Sequence, residues 1–209
     1  MLRLKAIFPD DWQYILSAYS NFVFSTGLKN IDENLLLMLL ETGVLFGERL
    51  SRLPIKGFVE IGCGLALPSL TIAKLTQIGG KAIDIDPKVL TFAKDIRDHS
   101  GCTLELECRD VFEDKPQLQK GELLIAEKPA SYKKNVLEVE YTIRNWCAIE
   151  NHDLAVIPIF MDTDTPELYA ERCKMHEKKL KQVGFTVENK QVCDQMPLRW
   201  LIATKGQLF

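Results

Sequence analysis

The amino-acid sequence predicts an α/β fold: a doubly wound, mostly parallel sheet preceded by N-terminal helices. First, apolar segments of strand length alternate with segments of helical periodicity over most of the 209 residues, which is typical of repeated β-α-β units. Second, Phe58, Val59 and Ile61 form a short apolar run that leads directly into Gly62 and Gly64, and Pro68 then falls in the first turn of a helix. Third, two strand-like segments follow one another at the end of the chain, which predicts an antiparallel hairpin.

The N-terminal quarter of the chain is predicted to be helical. One helix covers about Asp10 to Thr26 and is rich in aromatic residues. A second helix runs from an N-cap at Asn30, with Glu33 three residues later, to about Leu50. It is apolar nearly all round, which predicts burial between other elements. The aromatic residues of the first helix are interpreted as core; the alternative is that three of them line a substrate pocket, namely Trp12, Tyr19 and Phe22.

The remaining elements follow from periodicity and from breaker residues. Gly79, Gly80 and Gly101 end two helices, and Thr165-Pro166 begins a later one. Five strands are predicted before the final hairpin, at about 58–61, 81–85, 103–108, 122–126 and 154–160. The helices between and after them cover about 67–78, 87–100, 134–151 and 166–184, and the last two strands cover about 185–192 and 199–204.

Composition indicates one globular domain, residues 1–209, with an N-terminal helical extension (1–53) and an α/β core (54–209). Hydrophobic residues make up 46% and charged residues 26% of the chain, and the net charge is −3, so no global attraction to nucleic acid is expected. The six cysteines show no metal-binding spacing, and we expect a reduced, cytoplasmic protein without a metal. The most apolar run, 35–40, is too short to cross a membrane.

Two motifs carry a resemblance to a known family. Val59-Glu60-Ile61-Gly62-Cys63-Gly64 and Ile83-Asp84-Ile85-Asp86-Pro87 resemble the first two motifs of class I S-adenosylmethionine-dependent methyltransferases, with a glycine loop after strand one and an acid at the end of strand two. A dinucleotide-binding Rossmann unit is the main competitor, but its third glycine position is occupied by Leu67. The resemblance covers about 57–205 and implies seven strands, the last of them antiparallel.

The resemblance implies a set of residues that bind S-adenosylmethionine. The backbone of Gly62, Cys63 and Gly64 would approach the amino-acid and sugar parts. Asp84 would accept hydrogen bonds from the ribose hydroxyls, whereas Asp86 is expected to cap the following helix.

Three further positions complete the predicted cofactor set. Ile85 would flank the adenine face. Asp110 would accept from the adenine amino group, with the Val111 backbone nearby; the alternative for Asp110 is that it caps a turn. Glu60 lies within strand one, and its carboxylate would hold the loop N–H groups or face the cofactor's ammonium group.

The segment after strand four concerns the methyl acceptor. Related enzymes that methylate amino groups carry an Asn/Asp-Pro-Pro-Tyr/Phe motif here, whereas this chain has Glu127-Lys128-Pro129-Ala130 with Tyr132 two positions late. This departure counts against methylation of nucleic-acid bases. Glu127 is the candidate general base, assisted by Tyr132; alternatively, Glu127 binds the cofactor's ammonium group.

The sequence therefore predicts a methyltransferase that acts on a small molecule. The alternatives are an RNA or protein methyltransferase of the same fold, or an inactive S-adenosylmethionine-binding partner subunit. His99 and His176 are expected to be solvated, and His152 is a weaker candidate base. The basic run 174–181 is interpreted as the exposed face of an amphipathic helix rather than as an RNA-binding tract.

Overall fold

A computed structural model of the chain describes residues 1–26, 33–111, 113–126, 154–160, 166–182, 184–193 and 196–204. They fall into two compact units, Met1–Leu53 with Cys63–Lys115 and Pro54–Gly62 with Pro116–Phe209. The helices are α1 Leu2–Ile7, α2 Trp12–Thr26, α3 Glu33–Leu50, α4 Leu67–Thr76, α5 Pro87–Ser100 and α6 Pro166–Gln182. The strands are β1 Gly57–Ile61, β2 Lys81–Asp84, β3 Glu105–Cys108, β4 Glu122–Ala126, β5 Leu154–Phe160, β6 Thr186–Cys193 and β7 Met196–Thr204.

These elements confirm an α/β fold with a mostly parallel sheet and N-terminal helices. The predicted bounds of β1, β4 and β5 agree with the structure to within a residue, whereas α1 was not predicted and β7 begins three residues earlier than expected. The predicted N-cap Asn30 and the predicted helix 134–151 lie outside the described residues. Within the described residues, no helix combines the length and the apolar character needed to span a membrane.

In the first unit, α2 packs on α5 through aromatic contacts. The Phe22 ring meets the Phe92 ring edge-on at 5.9 Å between centroids, and Tyr19 meets Phe22 at 6.0 Å. Trp12, at the other end of α2, lies 4.2 Å below the ammonium group of Lys5, a cation–π contact. Trp12, Tyr19 and Phe22 thus contact protein side chains, as the core interpretation predicts. The same interpretation is wrong for Tyr14 and Phe24, which are 38% and 88% exposed.

Helices α3 and α4 approach each other closely at Gly47. A Cβ atom at this position would lie 2.5 Å from Thr71 Cβ and 2.6 Å from the Pro68 carbonyl oxygen. Such distances are far inside van der Waals contact, and backbone cannot yield as a flexible side chain can. Leu40, Val44 and Phe46 of α3 are fully buried. The absence of a side chain at Gly47 therefore sets the distance between α3 and α4.

We predict that Gly47→Ala lowers the free energy of unfolding by about 1–3 kcal/mol through overpacking, although alanine is the better helix former. Urea unfolding followed by circular dichroism measures the change. Gly79→Ala is the matched control, because nothing lies within 4 Å of a Cβ at Gly79. Equal stability of the two variants would contradict the close approach.

Strands β2 and β3 pair in parallel, with Lys81 opposite Glu105 and Ile83 opposite Glu107. The Lys81 ammonium lies 3.1 Å from Glu105 and 3.0 Å from Glu107, and the Arg109 guanidinium also binds Glu107. Burial alone would raise the pKa of Glu107, but the hydrogen bonds from Lys81 and Arg109 prevail and hold its pKa below the ordinary value. The same contact with Glu107 raises the pKa of Lys81.

We predict that Glu107→Gln destabilises the protein near neutral pH by less than about 1 kcal/mol, because the ion pairs are partly exposed. A carboxylate whose folded pKa is depressed stabilises above its unfolded pKa, about 4.3 for glutamate, and this contribution is lost as pH falls through the folded pKa. The difference between wild type and variant should therefore disappear in acid. Urea titrations between neutral pH and pH ~3 test this, with the more exposed Glu105→Gln as control. A difference independent of pH would disprove it.

In the second unit, the strands follow the order β1-β4-β5-β7-β6. Strands β1, β4 and β5 are parallel, with Ile61 opposite Ala126 at the end of β1. Strand β7 is antiparallel to both β5 and β6, which confirms the predicted terminal hairpin.

Helix α6 belongs to this second unit and corrects one prediction. His176, predicted to be solvated, is only 1% exposed. It shares a buried face with Cys173 and Leu180, at the spacing i, i+3 and i+7 that places residues on one side of a helix. The charged neighbours in the sequence point elsewhere: Lys174, Lys178 and Lys181 are exposed.

Candidate functional site

The turn between β1 and α4 has an unusual backbone. Gly62, Gly64 and Ala66 all have positive φ, at 67°, 53° and 55°. For a residue with a side chain this left-handed conformation costs about 1–2 kcal/mol, so Ala66 is held there by its surroundings and is fully buried. Gly64 differs from Ala66 because nothing lies within 4 Å of a Cβ built on it. The turn therefore presents open backbone at Gly64.

The Asp84 carboxylate fastens this turn to the end of β2. Its Oδ2 accepts a hydrogen bond from the Gly64 N–H at 2.8 Å, and its Oδ1 accepts one from the Asp86 N–H at 2.9 Å. The Cys63 N–H also donates to the Ile83 carbonyl oxygen at 3.0 Å. Each carboxylate oxygen has a second lone pair, so Asp84 retains capacity for two further donors. The sequence did not predict that Asp84 also positions the turn.

Asp86 has a different role, as predicted. Its Oδ1 accepts the Lys88 N–H at 2.9 Å at the start of α5, and Pro87 occupies the first turn. This is a helix N-cap with proline directly after it. The capping role of Asp86 is confirmed, and Asp84 is the acid that faces the glycine turn.

The other predicted residues of this unit follow β2 and β3. Ile85 is an exposed apolar side chain, 45% accessible, directly after Asp84. Asp110 is half-buried and Val111 is buried. The Asp110 carbonyl accepts the N–H groups of Glu113 and Asp114 at 3.1 and 2.9 Å, so its backbone belongs to a turn. The predicted adenine roles of Ile85, Asp110 and Val111 stay predictions.

Glu60 and Gly62 belong to the second unit, at the end of β1. Glu60 is completely buried. A carboxylate that is removed from water requires partners or neutralisation, which agrees with a structural or cofactor-binding position, but its predicted role stays a prediction. Gly62 continues covalently into Cys63, whose side chain is buried.

The predicted catalytic residues, Glu127 and Tyr132, lie outside the described residues. The last described residue before them is Ala126, which ends β4 and pairs with Ile61. His152 also lies outside the described part. His99 is 44% exposed, stacks on Tyr14 at 3.9 Å and lies 3.5 Å from Asp11, so its predicted solvent exposure is confirmed.

Solved structures of similar fold identify the architecture. The O-methyltransferase TomG from Streptomyces achromogenes, solved in complex with SAM, has a TM-score of 0.61 at 12% identity, over 92% of this chain and 90% of that one. The fold is that of class I S-adenosylmethionine-dependent methyltransferases. Magnesium protoporphyrin IX methyltransferase (ChlM) from Synechocystis PCC 6803, with bound SAM, has a TM-score of 0.59 at 14% identity, over 81% and 79% of the two chains.

A third similar structure is that of a methylase named for a ribosomal protein. The ribosomal protein L11 methylase from Lactobacillus delbrueckii subsp. bulgaricus has a TM-score of 0.56 at 13% identity, over 79% of this chain and 78% of that one. No protein-family model and no curated protein sequence matches the chain. Methyltransferases named for different acceptors thus share this fold, and similarity at sequence identities this low shows the fold alone.

We predict that Asp84→Ala lowers the free energy of unfolding by about 1–3 kcal/mol, because two backbone N–H groups lose their acceptor. Amide hydrogen exchange at Gly64 should accelerate with it. Asp86→Ala is the control: it removes a helix cap worth about 1 kcal/mol but leaves the exchange of Gly64 unchanged. Unchanged protection of Gly64 in Asp84→Ala would refute the fastening role.

Proposed function

We propose that the chain is an S-adenosylmethionine-dependent methyltransferase that transfers a methyl group to a nitrogen or oxygen atom of a small molecule. The observation that carries the proposal is the glycine turn that Asp84 fastens at the end of β2, with open space over Gly64. A site for a nucleoside requires close access to backbone at one strand end and a carboxylate at the next. Both features lie in the first unit, 2.8 Å apart.

We further propose that residues 1–209 form one domain, in which the strands make a single sheet of order β3-β2-β1-β4-β5-β7-β6. In this proposed order, β1 would lie at the point where the direction of strand succession reverses. In open α/β sheets, ligands bind beyond the carboxyl ends of the strands at that point.

The described residues fit the cofactor. Helix α4 begins at Leu67, its N-cap residue Ala66 makes no side-chain hydrogen bond, and its first turn has no acidic residue, so its N-terminal end can accept the cofactor's carboxylate. Asp84 has free lone pairs for the two ribose hydroxyls, and Ile85 offers an exposed apolar surface for the adenine. Asp110 and Val111, after β3, would complete the adenine contacts.

The remaining proposed residues concern orientation and proton transfer. Gly62 and Cys63 would contribute backbone to the cofactor's amino-acid part, and Glu60 would hold the loop or the ammonium group. When bound, S-adenosylmethionine supplies an electrophilic methyl group on a sulfonium, which the acceptor atom attacks in line. A neutral amine or hydroxyl acceptor loses a proton as its bond to carbon forms, and we assign this proton to the Glu127 carboxylate with Tyr132 as hydrogen-bonding partner.

We predict that Gly64→Ala weakens binding of S-adenosylmethionine and of its demethylated product at least tenfold, because the alanine side chain would fill the open space over the turn. Isothermal titration calorimetry measures both ligands. Gly101→Ala is a matched control: Gly101 also has a positive φ, 64°, with nothing within 4 Å of its Cβ. Both variants should lose about 1–2 kcal/mol of stability, but only Gly64→Ala should lose affinity.

Failure of the wild type to bind either ligand would overturn the proposal. If both ligands bind, methyl-labelled cofactor incubated separately with pools of metabolites, tRNA and protein then identifies the acceptor class. Label in the metabolite pool is the expected result. Label in tRNA or protein would overturn the small-molecule assignment, and binding without transfer to any pool would favour the inactive partner subunit.

A further inference from the structure

The β3 strand leaves backbone hydrogen-bonding groups open at the edge of the sheet. Among the described strands it pairs with β2 alone. The N–H groups of Glu105 and Arg109 donate to the carbonyls of Gly80 and Asp84, both at 3.0 Å, so these alternate residues face β2. The N–H and C=O groups of Leu106 and Cys108 therefore point away from β2. Such an edge is a template for another strand.

A groove of about 370 Å³ runs beside this edge, between β3 and α5. Its α5 side carries Leu90, Lys94 and Arg97, which share one face of the helix, and its β3 side carries Leu106 and Cys108. Arg97 Nη1 donates to the Leu104 carbonyl at 3.2 Å. The carbonyl of Leu104, at the start of β3, is therefore already paired.

The groove has an apolar end and a basic end. Cys108 Sγ contacts the Ile85 carbonyl oxygen, 3.7 Å away, just before α5 begins. This end of the groove is lined by Pro87, Leu90 and Cys108, with the hydroxyl of Thr91 beside them, and is therefore mainly apolar. The other end, where Arg97 reaches Leu104, carries Lys94 and Arg97. Of the described residues that line the groove, these two are charged and none is acidic. Arg97 forms an ion pair with Asp98, at 2.6 Å, whereas Lys94 is exposed and forms no ion pair with a described residue.

We propose that this groove binds an extended, acidic peptide segment of a partner protein, which joins β3 as an antiparallel strand. In this recognition mode, main-chain hydrogen bonds supply affinity and the pockets for alternate side chains supply specificity. The open groups of Leu106 and Cys108 provide the main-chain bonds. Arg97 already donates to the Asp98 carboxylate through Nε and Nη2, at 2.8 and 2.6 Å, so Lys94 is the cation that makes a carboxylate the complementary side chain.

The polarity of the groove fixes a side-chain pattern for the peptide. Side chains of an added strand enter the groove at every second residue. An antiparallel strand passes Cys108 first and Leu106 second. The peptide therefore needs an apolar residue beside Leu90 and, two positions later, an aspartate or glutamate beside Lys94.

A second copy of the chain fits this edge less well than a peptide. Strand β3 has four residues, and strand pairing over that length buries far less than the ~1,200–2,000 Å² of a stable dimer interface. Two copies in antiparallel pairing would also place Glu105 and Glu107 of each chain near those of the other, and like charges across strands destabilise a sheet. A peptide can carry uncharged or basic residues opposite them.

The test uses one synthetic probe, acetyl-Ser-Thr-Val-Thr-Glu-Thr-Ser with a C-terminal fluorophore, and fluorescence anisotropy on the full chain. We expect saturable binding that weakens with salt and weakens at least tenfold in Lys94→Glu. A probe with lysine in place of glutamate should bind Lys94→Glu better than wild type. Lys88→Glu is the matched control, because Lys88 is an exposed lysine of α5 outside the groove lining, and it should bind the original probe like wild type.

A second probe tests strand addition itself. Methylation of the backbone nitrogens of the valine and glutamate removes the N–H groups that would pair with β3, and we expect at least a tenfold loss. Equal binding of the methylated probe, equal binding to Lys94→Glu, or no binding by wild type would overturn the proposal. So would a concentration-dependent dimer that the probe does not dissociate, since a second copy would then occupy the edge. Calorimetry with S-adenosylmethionine on Lys94→Glu should match wild type, which separates this proposal from the cofactor assignment.

Discussion

The hydrogen bond from the Gly64 N–H to the Asp84 carboxylate, 2.8 Å long, is the interaction on which the candidate site depends. It joins the turn after β1 to the end of β2, although twenty residues separate the two in sequence. Since the same carboxylate also accepts the Asp86 N–H, one side chain sets the turn and the entry to α5 together. A group so placed is oriented before any ligand arrives, which is what a binding site for a flexible nucleoside requires.

The turn also contains a buried residue with a strained backbone, Ala66. Ala66 keeps a left-handed backbone conformation at full burial, and such a residue persists only where its surroundings over-determine it. Helix α4 begins directly after Ala66 and packs on α3, where Gly47 lets the helices meet at Thr71 and Pro68. The strained backbone at Ala66 is therefore enclosed by the protein, two residues after the open position at Gly64.

The β3 strand shows how one short element has two chemically different faces. Glu105 and Glu107 lie on the face that meets Lys81 and Arg109, where ion pairs replace an apolar covering. Leu106 and Cys108 lie on the α5 side, where the groove is apolar and basic. Alternation along a strand produces both faces from four consecutive residues.

The sequence by itself determined the α/β fold, most strand bounds, the cap at Asp86 and the pairing of a glycine turn with Asp84, because these depend on local periodicity and on residue types with few conformational uses. Only the tertiary structure decided that Asp84 binds the turn, that Ala66 is left-handed, that His176 is buried and that Gly47 is a contact point. Each of these depends on a partner distant in sequence. His176 was predicted to be solvated because its sequence neighbours are charged, although its own face of the helix is buried. Gly47 is recognisable as a contact point only once α4 lies against α3.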